Sequence, residues 1–291
     1  MTVNEAFLKY KKRLEITKGE QDDASSRQQE VRSCMKAAFD VKTDFLTGSY
    51  ARHTKTKPLR DVDVFVVFGS DEAGRRQDPP QETLTAVENC LVNVYGRSSV
   101  VNDRRCVTVL FDQSTGSQDD RVLSIDVVPA FETKSYYSIP DGKLGNWINT
   151  DPQVHAESAT AKNAELDGNW VPLVKMVKGW NRNAGCPIVP SFLIEVMALE
   201  LVDAPFNAYP DEVRRFFAAA ACSIAQVWPD PAHLGPDVSD EMSDAACRAA
   251  RDALRQAEIQ AANAFRADQQ GRTSEALSIW RSVFGDLFPK S

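Results

Sequence analysis

Eight residues, Asp61-Val-Asp-Val-Phe-Val-Val-Phe68, constrain this chain more than any other segment. Their β-branched and aromatic content predicts a strand, and strand side chains alternate between faces. Asp61 and Asp63 therefore share one face while Val62 and Val64 enter the other. Side chains two apart on a strand stand roughly 6–7 Å from each other. Like charges brought to 4 Å repel by about 4 kcal/mol at an effective dielectric of 20, so close approach of the two carboxylates wants a cation. Ser124-Ile-Asp126-Val-Val-Pro129 offers a third carboxylate between apolar neighbours. If the two strands are adjacent, Asp61, Asp63 and Asp126 converge into an oxygen-rich site suited to magnesium.

The rest of the chain supplies the frame. Residues 3–40 lack proline and read as a long N-terminal helix, with Leu14, Ile16, Val31, Met35 and Phe39 as its buried stripe. Short β-branched runs follow at Val62–Phe68, Ser98–Val101, Val107–Phe111 and Val122–Val128, with a helical period over Pro80–Tyr95. From about residue 160 the pattern is helical, over a segment entered at Pro172 and broken at Asn181–Pro187, then Pro190–Val202, Pro210–Val227 and Asp240–Gln269. A last helix has Ser274 as its N-cap and Gly285 as its stop. The fold class expected is α+β: a mixed-sheet lobe packed against an all-helical C-terminal lobe. The boundaries expected are 1–155, including the N-terminal helix, and 156–291, with Thr133–Ala159 as the connection.

Charge narrows the functional classes. The 291 residues carry 34 Lys and Arg against 41 Asp and Glu, a net charge of -7, which disfavours a surface that coats duplex nucleic acid. Residues 41–60 run the other way. Lys42, Arg52, Lys55, Lys57 and Arg60 oppose only Asp44, a local +4 about the size of one nucleotide. Within it, Gly48-Ser49 can cradle a triphosphate: glycine lets the backbone approach, and the following amides with the serine hydroxyl can donate to phosphate. Six scattered cysteines without a CxxC pair and only three histidines give no zinc-module spacing. No apolar run approaches the ~20 residues needed to span a bilayer. The N-terminal residues lack the apolar core of a signal peptide, so the expected location is cytoplasmic.

Gly48-Ser49, Asp61-x-Asp63 and the later Asp126 resemble the signature of the polymerase β-like nucleotidyltransferases. The longer strings Gly48-Ser-Tyr-Ala-Arg-His-Thr54 through Pro58-Leu-Arg-Asp-Val-Asp63, and Ala276-Leu-Ser-Ile-Trp-Arg-Ser-Val-Phe-Gly-Asp-Leu-Phe-Pro289, resemble the bacterial CD-NTases. These are relatives of cyclic GMP-AMP synthase and oligoadenylate synthetase that make cyclic oligonucleotide signals in antiphage defence. The resemblance implies that Asp61 and Asp63 coordinate two Mg2+ ions, with Mn2+ as a substitute. It implies that Asp126 completes one ion and helps deprotonate the acceptor hydroxyl, and that Gly48 and Ser49 contact the donor triphosphate. In Leu173-Val-Lys-Met-Val-Lys-Gly-Trp180, Lys178 matches a family lysine that reaches the donor phosphates, Ser191 its serine partner, and Phe192 a base-stacking aromatic. Lys175 and Lys178 are spaced i, i+3 and share a helix face, as a phosphate clamp would need. Read from the residues alone, the alternative for Lys178 is a solvated surface lysine, and Phe192 is equally an ordinary core residue.

The activity so implied joins nucleoside triphosphates into a cyclic di- or trinucleotide second messenger, in the antiphage signalling known as CBASS. The partners implied are the triphosphates, a downstream effector reached through the cyclic product, and a regulatory protein. Neither a membrane nor duplex DNA is among them. The rivals are a linear oligonucleotide synthetase, a transferase acting on RNA, protein or a small molecule, and a catalytically silent nucleotide-binding scaffold. The chain closes on Pro289-Lys-Ser291, without the terminal glycine that ubiquitin-like conjugation requires, which argues against that mode of regulation.

Overall fold

Two capping boxes open the chain, and they decide where its helices start. In a computed structural model, which describes residues 1–111 and 124–290, α1 (Val3–Arg13) begins at Thr2 and α2 (Lys18–Ala38) at Thr17. Each threonine hydroxyl accepts from the amide three residues on, and each Glu at that position reaches back to the threonine amide. The helical N-terminus is therefore divided rather than continuous over 3–40, because Thr17 and Glu20 start a second helix.

The chain forms two compact units, Ile16–His155 and a second made of Met1–Glu15 with Ala156–Ser291. Residues 1–15, expected with the first lobe, thus belong to the helical unit. The reason is aromatic packing: the Phe7 ring meets Trp280, Phe284 and Phe288 edge-on, with centroids 4.8, 5.6 and 5.3 Å away.

In the sheet unit, β1 (Val41–Leu46), the single turn α3 (Gly48–Ala51), β2 (Asp61–Phe68), α4 (Pro80–Tyr95), β3 (Val100–Asn102), β4 (Val107–Leu110) and β5 (Ser124–Glu132) follow in order. The strands lie in the order β1-β2-β5-β4-β3, and among the described residues only β2 and β5 pair in parallel. Val62, Val64, Val66, Val107, Val109, Ile125 and Val127 all point to one face, where α2 and α4 contribute Val31, Met35, Leu84, Val87 and Leu91. The alternation leaves the aspartates on the opposite face. The strand expected from Val122 is drawn from Ser124; Val122 itself lies outside the described residues.

The segment Thr133–Ala159 is not a bare connection. It holds the hairpin β6 (Tyr137–Asp141) and β7 (Asn146–Thr150), and β6 pairs with β5 to extend the sheet to seven strands among the described residues. The glycines and prolines that read as a linker punctuate this hairpin, and Ile139 and Ile148 pack with Phe65 and Val67 on the second face. Buried Asp141 anchors the turn. It accepts from Arg104 Nε and Arg105 Nε, each at 2.9 Å, and from the Lys143 and Leu144 amides. Burial pushes its carboxyl up, but Arg104, the Leu144 amide and Arg105 outweigh that and hold it below the ordinary carboxylate range.

The helical unit comprises α1, α5 (Pro152–Glu165, which starts just before the division), α6 (Trp170–Asn183), α7 (Phe192–Leu201), α8 (Tyr209–Ser223), α9 (Asp244–Gln269) and α10 (Thr273–Phe284). The last helix starts a residue before Ser274, with Arg272 at its N-cap, and stops at Gly285, whose φ is 77°. Its core runs from Val3 and Phe7 to Trp280 and Phe288.

Glu20 does more than cap α2. Fully buried, it accepts from the Thr17 amide and from the Leu59 amide, each at 2.7 Å, and so ties α2 to the loop that leads into β2. Glu20→Ala removes a charge-assisted bond and strands a buried amide, so it should cost about 3 kcal/mol in urea unfolding. Glu5→Ala, in the exposed box of α1, should cost clearly less. Equal losses would show that the Leu59 bond contributes nothing.

Candidate active site

The parallel pairing of β2 with β5 brings the carboxylates together. Asp63 stands opposite Asp126, and Asp61 opposite Ser124, on the face away from the core. The next strand continues the row, since Thr108 of β4 is the register partner of Asp126. Asp63, Asp126 and Thr108 therefore lie side by side across three strands. Asp61 is exposed, one step nearer the strand ends; Asp63 and Asp126 are half-buried. Thr108 Oγ1 donates to Asp126 Oδ1 at 2.7 Å. Sequence reasoning missed Thr108, although a polar residue between Val107 and Val109 in a strand is the available signal.

Gly48 stands against Asp63. Its φ is +61°, and a Cβ placed on it would lie 2.5 Å from Asp63 Cγ and inside the radius of Oδ2. The Thr47 amide donates to the Asp63 carbonyl at 3.0 Å, which locks the end of β1 against β2. Glycine is needed here for the carboxylate beneath it. In the turn that follows, the Ala51 and Arg52 amides donate to the Thr47 and Gly48 carbonyls. The amides of Gly48, Ser49 and Tyr50 belong to the first turn, which has no acceptor within its own helix. The Ser49 carbonyl accepts from the Thr54 and Lys55 amides at 3.0 and 3.1 Å, folding the basic loop back on the turn.

The local charge is distributed differently from expectation. Lys42 lies toward the other end of β1, roughly 20 Å of strand from Gly48, and pairs with Glu132. Asp44 pairs with Arg32 and Lys36. Arg52, Lys55, Lys57 and Arg60, between the Gly48-Ser49 turn and β2, still carry +4. The Lys55 Nζ lies 3.9 Å from the Tyr50 ring centroid, a cation–π contact.

Burial and neighbouring charge set the electrostatics of the row. Burial pushes the Asp126 carboxyl up to about 6; the Thr108 bond draws it down, and the charges of Asp61 and Asp103 push it up again. Burial, then Asp126, also hold the Cys106 thiol well above its ordinary range. Among the described residues no group of three or more His, Cys, Asp and Glu side chains is gathered tightly enough to cage an ion unaided. Magnesium is ordinarily held by one or two carboxylates, water and substrate phosphate rather than by an all-protein cage. The donor set, all carboxylate oxygen beside a basic loop, fits the ion.

The other three expected residues belong to the helical unit. Lys178 is buried, not solvated, and its Nζ meets Glu195 Oε1 at 2.6 Å; Lys175 meets Glu15 at 2.7 Å. The two lysines share a helix but answer different carboxylates, because α7 and the end of α1 each present one. Ser191 is exposed at the N-cap of α7, where its side chain makes no capping bond. Phe192 is half-buried against the helical core.

Residues 1–163 match the family described as the Second Messenger Oligonucleotide or Dinucleotide Synthetase domain. A probable cyclic nucleotide synthase of Bacillus cereus is 29% identical over 83% of this chain and 81% of its own. A cyclic AMP-AMP-AMP synthase of an Acinetobacter is 27% identical over 100% of this chain and 87% of its own. CdnC of Escherichia coli, solved with ATP and in complex with HORMA-deltaN, superposes with TM-scores of 0.73 and 0.72, at 19% and 20% identity over 98% of each chain. At that identity the likeness is one of fold.

Proposed function

The chain belongs to the second messenger oligonucleotide or dinucleotide synthetase family, the bacterial CD-NTases, and on that premise we propose that it joins nucleoside triphosphates into a cyclic di- or trinucleotide with magnesium. It is a nucleotidyltransferase of the cyclic oligonucleotide synthase family. The observation that carries the finer reading is the register of Asp63 on Asp126 beside Gly48, with Asp61 on the same face.

In this reading the acceptor hydroxyl attacks the donor α-phosphorus, the bond to the β-phosphate bridging oxygen breaks, and pyrophosphate leaves. Magnesium, when bound, supplies neutralisation of the triphosphate and activation of the hydroxyl. Asp61 and Asp63 would hold the ions, and Asp126 would complete one and help deprotonate the acceptor hydroxyl. Gly48 and Ser49 receive the triphosphate, and the loop from Arg52 to Arg60 supplies positive charge against it. Lys178 and Ser191 as donor-phosphate contacts, and Phe192 as a stacking ring, are assigned on the family pattern. The product would signal to a downstream effector in antiphage defence. A regulatory protein partner is supported by the complex in which CdnC was solved.

Incubation with four ribonucleoside triphosphates and Mg2+, followed by phosphatase, should leave a resistant, base-containing product whose mass equals a closed ring. EDTA should abolish it and excess Mg2+ or Mn2+ restore it. A linear product only, or a product indifferent to EDTA, would overturn the reading.

A further inference from the structure

We propose that Thr108 is a positioning residue for this reaction, holding Asp126 in the one orientation that presents its second oxygen to a cation. The proposal rests on the reading of Asp126 as a metal ligand and adds a residue that the reading does not contain. Three observations carry it. Thr108 is the direct register partner of Asp126 across the antiparallel β4–β5 pair, so the hydroxyl and the carboxylate are brought together by the sheet itself. The bond is short, 2.7 Å from Thr108 Oγ1 to Asp126 Oδ1. Its neighbours Val107 and Val109 are fully buried on the opposite face, so β4 cannot slip by one residue without exposing both.

The chemistry follows from the inventory of the two groups. An ionised carboxylate only accepts, and a threonine hydroxyl has a single proton to donate. That proton committed to Oδ1 is a charge-assisted bond. It opposes rotation of the carboxylate about its terminal torsion, which is otherwise broad. Threonine suits the task because its branched Cβ restricts χ1, so the hydroxyl itself is held. Such outer partners of a metal ligand commonly govern affinity by about 10–100-fold. The competing account is that Thr108 is there as a good strand former, in which case valine should replace it without consequence.

The test compares Thr108→Val, which keeps shape and loses the donor, with Thr108→Ser, which keeps the donor. Binding of Mn2+ in the presence of a non-hydrolysable ATP analogue is followed by electron paramagnetic resonance, and half-saturating Mg2+ is read from turnover. Thr108→Val should weaken Mn2+ binding and raise half-saturating Mg2+ by about 10-fold or more. The triphosphate KM at saturating metal should stay within about threefold, and Thr108→Ser should restore both metal readouts to within about threefold. Wild-type metal affinity in Thr108→Val, or equal losses in both variants, overturns the proposal. Asp126→Asn is run alongside: if it binds Mn2+ as the wild type does, the metal-ligand reading itself fails. If Thr108→Val does not fold, as judged by circular dichroism and melting, Thr108→Ala against Thr108→Ser decides by the same criteria.

Discussion

Gly48→Ala should lower kcat/KM for triphosphate incorporation by at least about 100-fold, because a methyl group there displaces Asp63. The added Cβ falls 2.5 Å from Asp63 Cγ and closer still to Oδ2, where no real contact survives. Relief by backbone motion is blocked, since the Thr47 amide is bonded to the Asp63 carbonyl and β1 is in register with β2 from Thr43 to Leu46. The Asp63 side chain must rotate instead. A reacting group misplaced by about 1 Å loses on the order of 100-fold in rate. The φ of +61° adds a backbone cost of about 1–2 kcal/mol for any residue with a Cβ. The variant should therefore melt lower as well as turn over more slowly. Ser49→Ala, one residue on, has an ordinary helical backbone and should be milder in both respects. Pyrophosphate release and thermal melting check the pair; a Gly48→Ala enzyme within threefold of wild type would mean that Asp63 is not held where it acts.

How much of this was legible beforehand depends on how local each cause is. The carboxylate face follows from period-two alternation in Asp61–Phe68, which any strand must obey, and the row with Asp126 needs only that two strands be neighbours. Helix α4 is equally local: its Pro80 start and its Leu84, Val87, Leu91 and Val94 stripe predict Pro80–Tyr95, the span observed, although Val94 proves exposed. The failures are long-range. Allegiance of α1 is decided by rings near the other end of the chain, and no pattern within residues 3–40 announces them. Hairpin β6–β7 gains its place by pairing Phe131 with Ser138 and by the Phe131–Trp147 ring contact, so in isolation its prolines and glycines read as linker. Lys178 carries the same lesson. Its helix face is readable, but the carboxylate that buries it sits on a different helix.

Asp126→Asn should abolish turnover, by at least about 1,000-fold, and yet make the metal-free protein more stable at neutral pH. The sign follows from the titration. The folded carboxyl is raised to about 6 from an ordinary value of 3.8, chiefly by burial, with the Asp61 charge adding to it against the pull of Thr108. The folded state therefore holds this proton more tightly than the unfolded chain. Its contribution to stability is greatest below pH 4, falls as pH rises to about 6, and is flat beyond. A gap of about two units sets a ceiling near 3 kcal/mol, and partial access of water brings the expected loss to about 1–2 kcal/mol. Asparagine removes the charge, keeps the shape, and still offers its carbonyl to the Thr108 hydroxyl. Unfolded in EDTA at pH 7.5, the variant should gain about 1–2 kcal/mol, and its stability between pH 4 and 6 should be flatter than wild type. Mg2+ should then stabilise the wild type more than the variant, since Asp61 and Asp63 remain in both but only the wild type has the Asp126 charge for a cation to offset. A variant that is inactive and also less stable would place the strain elsewhere. A half-buried carboxylate kept beside Asp63 and Asp61 at a cost to stability is the expected mark of a functional site rather than of a stabilising one.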